Sequence, residues 1–297
     1  MQGTSGWARF RRSEAASGLS MIAPPGIYVI LLLAVPLFTV LLTSFYTDGV
    51  TETGSKAVLP ILTFENYHEV WTKPIYRVLM LRSLFVSMSV TLITVLLAYP
   101  IAYFVSFHVA PSKKSLWLFL ITIPFWTSYI IRVFLWKVVL GYNGVFSSGL
   151  EMLGITGEPM SFLTNGTVAV TVTLAHAYAP FAILPIFVAL EKIDRSFLEA
   201  GQDLGESKFA TFLRVTLPLS MPGVIASVMI VFIPTVGDYI TPAMVGGPDG
   251  MMAGNLIQSL FGGMNNWPAG AALSVVLIVA IAAAGLAFTA LSRLIQR

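Results

Sequence analysis

The stretch EAGQDLGESKFATFLRVTLPLSMPG, residues 199–223, concentrates charge and glycine between two long apolar runs. Its surroundings are of the opposite kind. Only 10% of the 297 residues are charged, against about 25% in an ordinary soluble domain. The mean hydropathy is +0.83. Apolar runs near or above the ~20 residues needed to cross a bilayer recur at about 21–45, 84–107, 116–136, 167–190, 224–245 and 269–291. The expected fold class is therefore an all-α polytopic membrane protein with six transmembrane helices. A signal peptide has an apolar core of about 7–15 residues; the run 21–45 is longer and reads as an uncleaved first span.

The expected organisation is a tail, 1–20, and one six-span domain, 21–297, whose charged loop 191–222 lies between spans four and five. The polar stretch 46–82 reads as a small extramembrane lobe. FSSGLEML, inside the second polar stretch 141–165, reads as a short interfacial helix, and 246–268 as a glycine-rich, nearly uncharged loop. There are no cysteines, which excludes disulfides and thiolate metal sites. The three histidines, His68, His108 and His176, are far apart, so neither metal nor cofactor is expected.

Six spans put both termini on one side. Eleven of the 17 basic residues fall on the termini, the loop 108–115 and the loop 191–222: Arg9, Arg11, Arg12, Lys113, Lys114, Lys192, Arg195, Lys208, Arg214, Arg293 and Arg297. Positive charge marks the cytoplasmic side, so both termini and the 199–223 stretch are expected there.

Within that stretch, Ile193, Phe197, Ala200 and Leu204 recur at helical spacing. Asp194 suits an N-cap. Gly205 suits a left-handed helix end. Ser207 suits the cap of a second short helix with Phe209, Phe212 and Leu213 on its apolar face, which Leu217, Pro218 and Pro222 end. The residues alone leave two readings open: an amphipathic segment lying on the membrane surface, or a docking element for a soluble partner.

Glu199-Ala200, Gly205 six positions after the glutamate, and Val215-Thr216-Leu217-Pro218 resemble the EAA motif of permease subunits of ABC importers. Gly201 departs from it, standing where the family usually has a second alanine; a glycine there loosens a helix by up to about 1 kcal/mol. FENYHEVW (64–71), PFWTSYIIRVFLW (124–136) and VGDYITPAMVGG (236–247) are similar to segments of the spermidine/putrescine branch. The resemblance covers most of the chain from about residue 20. It implies the type I importer permease (MetI-like) fold in an inner membrane, and an ATPase-coupling role for Glu199, Ala200, Gly201, Gly205, Val215, Leu217 and Pro218. It also implies partners: a cytoplasmic ATPase dimer, a second homologous permease subunit and an extracytoplasmic solute-binding protein, with lipid around the chain and no nucleic acid. The implied substrate is a polyamine or another small organic solute, such as an amino-acid derivative or opine. The chain has no Gly-Lys pair, hence no G-x-x-x-x-G-K-[ST] phosphate loop, and is not expected to be an enzyme.

Asp238 falls inside the expected fifth span, where an acid is costly and faces the bundle interior or a wet cavity. Three readings fit it: a structural pair with Arg132, a cap on a helix broken near Pro234 or Gly237, or a substrate-path carboxylate. In the third, Trp126, Tyr129 and Tyr239 supply aromatic faces for an ammonium group; the plain alternative for these rings is an interfacial belt. A stand-alone carrier or channel predicts internal repeats or several buried acids. An intramembrane enzyme predicts an H-E-x-x-H or G-x-S-x-G cluster, and neither string occurs.

Overall fold

The computed structural model describes residues 14–50, 56–155 and 166–295. The expected tail is described only from Glu14, where helix α1 (Glu14–Thr43) already begins; Arg9, Arg11, Arg12 and Arg297 lie outside the described residues. A two-stranded antiparallel hairpin follows, β1 (Thr47–Val50) and β2 (Lys56–Leu59), with Thr47 opposite Leu59. Then come α2 (Glu65–Thr72), α3 (Pro74–Phe107), α4 (Pro111–Thr122), α5 (Tyr129–Leu140), α6 (Val145–Met152) and α7 (Thr167–Glu191). The chain continues through α8 (Arg195–Asp203), α9 (Lys208–Thr211), α10 (Leu217–Val236), α11 (Gly247–Gly250), α12 (Ala253–Phe261) and α13 (Trp267–Ile295).

Among the described residues, six helical stretches are long and apolar enough to cross a membrane: 18–43, 74–107, 129–152, 167–191, 208–236 and 267–292. Span two starts ten residues before its expected 84. Pro74 pre-sets the helix at its first turn, so Arg77 and Arg82 stand on helix rather than in the lobe; Arg82 donates to the carbonyl of Met251 at 3.3 Å. Span three differs more. The expected run 116–136 is not one helix: α4 tightens into a 3-10 turn over Ile123–Trp126, and Thr127 and Ser128 are extended before α5 begins. Span five is broken too. Its helix stops at Val236 and resumes only past Tyr239, where a π-turn, Pro242–Gly246, follows. The loop 246–268 contains α12, hidden in sequence by the glycines around it. FSSGLEML does lie on a helix, α6, but that helix falls within the apolar stretch 129–152 rather than apart from it.

Helices α3, α7 and α10 pack on one another at the centre of the bundle. Val90, Val105, Leu174, Ile186 and Val231 fill that core, all at or near zero exposure. A second cluster joins α2, α12 and α13 to the outer half of α10 through Val70, Phe232, Val236, Leu260 and Leu273. Helix α1 touches mainly α13 and exposes Ile27, Leu31, Val35 and Phe38. In a bilayer that face meets lipid tails or another apolar helix, so its exposure costs nothing.

The segment FENYHEVW has a structural use. Asn66 Nδ2 donates to the carbonyls of Ser44 at 2.9 Å and Tyr46 at 2.8 Å. Tyr67 Oη pairs with Ser44 Oγ at 2.7 Å. These bonds satisfy two carbonyls of the turn that follows α1 and fix the hairpin lobe to the first span. Asn66→Asp removes the donating amide and sets a carboxylate against two carbonyls. It will lower stability by about 1–3 kcal/mol, read as a shift of the detergent unfolding midpoint, while Glu65→Gln at the exposed neighbouring position leaves the midpoint in place.

Candidate functional site

Two places gather the singled-out residues: the charged element at one end of the bundle, and the facing breaks of spans three and five.

The charged element folds as two short helices joined by a tight turn. Asp194 Oδ1 accepts from the Ser196 amide at 3.0 Å and caps α8. Gly205 has φ +84°, in the left-handed region that glycine enters freely, and its amide returns to the carbonyl of Gln202 at 2.9 Å. Ser207 Oγ accepts from the Ala210 amide at 3.2 Å and caps α9. A π-turn, Phe212–Thr216, then leads into α10. Pro218 has no amide to give to a preceding carbonyl, and the wider turn absorbs that gap. Val215 and Leu217 lie half-buried in this transition.

The expected face Ile193–Phe197–Ala200–Leu204 divides. Ile193 is buried, whereas Phe197, Ala200 and Leu204 point outward; Leu204 is 84% exposed. The second helix divides likewise. Phe212 turns inward against the rings of Tyr99 and Tyr103, at 5.6 and 6.0 Å between centroids. Phe209 is 70% exposed and Leu213 is also outside. One layer therefore anchors the element and another stands free.

Gly201 is buried, and its place explains the departure from alanine. A Cβ there would lie 3.1 Å from Thr211 Cγ2 and 3.2 Å from Thr211 Oγ1. The glycine lets α8 close onto α9, so the substitution tightens the element rather than loosening it. Glu206 and Arg214 add an ion pair at 2.6 Å, and Glu199 is exposed. Beneath the element, Glu191 Oε1 receives Lys114 Nζ at 2.5 Å and Ser106 Oγ at 2.6 Å. Lys114 also reaches the carbonyl of Ser106 at 2.7 Å. The end of α7 is thereby tied to the ends of α3 and α4. Sequence reading missed this triad because its members are 77 and 85 residues apart.

At the second place, the breaks of spans three and five meet. Asp238 is 9% exposed. Its Oδ1 accepts from the amides of Ile240 at 2.9 Å and Thr241 at 3.4 Å, and its Oδ2 accepts from Tyr129 Oη at 2.6 Å. Tyr129 Oη also pairs with Thr241 Oγ1 at 2.6 Å. Of the three readings, the geometry shows the cap. The pair with Arg132 is not formed: among the described residues no ion pair joins the two. Arg132, 7% exposed, instead gives Nη1 to the carbonyl of Ala177 at 3.2 Å and Nη2 to that of Thr127 at 3.0 Å; Nε has no partner. The carbonyl of Thr127, released where the helix breaks, would be a costly orphan in a membrane, and Arg132 serves it. Asn255 Nδ2 donates to the carbonyl of Tyr239 at 2.7 Å and covers the other side of the break. The aromatic faces stay open: Trp126 is 78% exposed and Tyr239 is exposed. His176 accepts from Trp136 Nε1 at 3.1 Å.

The chain matches, over residues 26–297, the family described as binding-protein-dependent transport system inner membrane component. The chain belongs to this family. It is 38% identical over 255 residues to the spermidine/putrescine transport system permease protein PotB of Haemophilus influenzae, covering 86% of this chain and 87% of that one. It is 32% identical over 270 residues to PotB of Escherichia coli, covering 91% and 96%. The inner membrane ABC transporter permease protein YdcU of Escherichia coli is 33% identical over 280 residues, covering 87% and 88%. The fold is shared with a bacterial ABC transporter that imports the acidic polysaccharide alginate, at TM-score 0.72 and 16% identity over 98% of this chain and 99% of the other. It is also shared with the alginate transporter in complex with its pentasaccharide-bound periplasmic protein, at TM-score 0.73 and 17% identity over 99% of each chain. The chain is thus a multi-pass inner-membrane permease component of a binding-protein-dependent ABC importer, a transport subunit and not an enzyme.

Tyr129→Phe leaves Asp238 Oδ2 buried without a donor and will cost about 1–3 kcal/mol of stability, measured as a lower unfolding midpoint in detergent. At the charged element, the Ser196 amide holds the Asp194 carboxyl below its ordinary 3.8. The cap is therefore complete above that value and is lost as pH falls through the lowered one. Hydrogen exchange at the Ser196 amide will accelerate in strong acid in the native chain, and Asp194→Asn, whose amide oxygen still accepts, will remove that dependence.

Proposed function

We propose that this chain is one of two permease subunits of an ATP-driven polyamine importer. Its termini and the 191–222 loop face the cytoplasm, and it takes energy from an ATPase dimer through residues 199–218. The observation that carries this reading is the pre-built element whose apolar residues Leu204 and Phe209 stand 84% and 70% exposed. An element lying on the membrane would turn these residues toward the lipid beside the bundle. This one turns Phe212 inward, sets Phe197 beside the groove lined by Val188, Leu219 and Pro222, and leaves Leu204 and Phe209 free for a soluble subunit's groove to bury. The excess of basic residues on the same loops supports the cytoplasmic side.

Transmission follows from the local packing. Between α7 and α8 lie only Lys192, Ile193 and the capping Asp194, and Ile193 is buried in the main core. Thr211 against Gly201 and Glu206 against Arg214 hold α8 and α9 as one body. Nucleotide-driven closure of the ATPases then tilts α7 and α10 with the element, a rigid-body switch between two packings. The second permease subunit completes the path, and an extracytoplasmic binding protein loads it.

The substrate class rests on the relatives named for spermidine and putrescine. A polyamine suits the outer break: Trp126 and Tyr239 offer open ring faces to ammonium groups, and Asp238 behind Tyr129 supplies the balancing charge. Asp238→Asn keeps an acceptor for the cap and removes the charge, so uptake will fall while assembly persists; unchanged uptake with normal assembly removes Asp238 from the path.

The deciding experiment reconstitutes the chain with its ATPase and paired permease and adds solute-binding proteins loaded with different ligands. A polyamine-loaded binding protein will stimulate ATP hydrolysis several-fold. Gly205→Pro, whose ring cannot adopt φ +84°, will abolish the stimulation. Stimulation by another solute alone would keep the importer and discard the polyamine. Failure of any ATPase subunit to assemble with the chain would overturn the coupling assignment.

A further inference from the structure

A cavity of about 190 Å³ lies between the inner layer of the charged element and the end of α3. That is several times the ~30 Å³ share of one water molecule. Tyr103, Phe107, Leu198 and Phe212 give it an apolar side. The rest is polar: His108, Gln202, Lys208, Thr211 and Thr216. Thr216 is fully buried and its Oγ1 has no hydrogen-bond partner among the described residues. A buried hydroxyl left so costs about 1–3 kcal/mol, so one that persists calls for an occupant.

Thr211 Oγ1 is bonded to the carbonyl of Ser207, but three other polar groups share the lack. The Lys208 ammonium makes no ion pair or hydrogen bond with the described residues, unlike Lys114 and Arg214 of neighbouring segments. The side chains of Gln202 and His108 make no hydrogen bond either; the His108 ring only packs beside Tyr103 and Phe104. The element's own acids do not supply a counter-charge. Glu199, Asp203 and Glu206 are absent from the lining, and Glu206 is engaged by Arg214. His108, Gln202 and Lys208 are exposed at the rim, so the cavity is reachable from outside.

A lysine, an imidazole, an amide and a hydroxyl converging without a carboxylate are donors waiting for an acceptor-rich anion. We propose that this cavity is a phosphate site, which lodges one phosphate group between the charged element and α3. Two sources share that chemistry. One is the headgroup of an anionic phospholipid of the cytoplasmic leaflet, where juxtamembrane cations attract such lipids. The other is a soluble phosphate. The apolar side formed by Phe107, Leu198 and Phe212 suits the glycerol of a lipid headgroup. An occupant bonded at once to Lys208 and Thr216 on the element and His108 at the end of α3 would hold the element against the bundle. The site would therefore set the stiffness of coupling whatever solute is carried.

The test uses the assembled importer in bilayers of phosphatidylcholine and phosphatidylglycerol. Native mass spectrometry counts the phosphatidylglycerol retained after transfer to detergent, with and without added inorganic phosphate. The native complex will retain a tightly held phosphatidylglycerol that the His108→Gln/Lys208→Gln double variant loses, with retention weakened roughly tenfold, as expected for a lost charge-assisted contact. Thr216→Val, which removes only the hydroxyl and leaves the charge unchanged, will weaken it several-fold. Lys113→Gln, on the nearby exposed surface, will not. If inorganic phosphate displaces the lipid, or binds in its place with the same dependence on Lys208 and Thr216, the site takes a soluble phosphate. Equal retention in the native, double-variant and Thr216→Val complexes, with no effect of phosphate, would overturn the proposal.

Discussion

Inside a bilayer, a peptide group that leaves the helical ladder has no water to turn to, and the described architecture depends on how two such departures are settled. Spans three and five both break in the same layer. In span three the freed carbonyls find Thr127 Oγ1, which donates to Pro124 at 2.7 Å, and Arg132, which serves Thr127 and also reaches across to Ala177 of α7. In span five the freed amides find Asp238, and the carbonyl of Tyr239 finds Asn255. Tyr129 then bonds Asp238 across the gap. The two charged residues are costly at this depth, and each answers for backbone groups that would otherwise be orphans. Their charges are spent on dipoles rather than on each other. A direct ion pair would have left both breaks unsatisfied.

The same accounting explains why the element at the opposite end has two layers. Phe212, Gly201, Thr211 and Ile193 face the chain and settle against it; Phe197, Leu204, Phe209 and Leu213 do not. A segment bound only by hydrophobic burial would turn all its apolar groups inward. The caps at Asp194 and Ser207 and the left-handed turn at Gly205 fix the backbone so that it cannot. Local bonds thus hold apolar side chains outward. The Lys114–Glu191–Ser106 triad continues the restraint into the ends of α3, α4 and α7.

Much of this was legible in the sequence because it is written locally. The caps, the glycine turn and the six apolar runs each depend on residues within a few positions. The likeness of residues 199–218 to a shared motif was legible in the same local way. What was not legible depends on contacts far along the chain. Nothing near Pro124 says that the helix must open at Thr127, since prolines at 100, 180 and 185 sit inside continuous helices. The opening survives because Arg132 is there to serve the carbonyl. Likewise α12 reads as loop until Ser83, 170 residues away, accepts from the Ala253 amide at 2.7 Å. Asp238 was partly legible: an Asp three residues before a Thr amide is a capping signal, but within an apolar run it competes with the pull to find a charged partner.

Gly201 shows how a departure from a shared pattern is read once its neighbour is known. In an isolated helix glycine for alanine is a loss, through the greater freedom of the unfolded backbone. Here the missing methyl is space that Thr211 occupies, with its Cγ2 and Oγ1 both near 3.1–3.2 Å of where a Cβ would stand. Thr211 is itself buried and also donates to the carbonyl of Ser207 at 3.2 Å. Restoring alanine at 201 would regain helix propensity and push α8 away from α9 by a few tenths of an ångström. The two effects oppose each other: propensity favours alanine, and the close packing of α8 on α9 favours glycine. The residue that weakens the helix therefore stiffens the element.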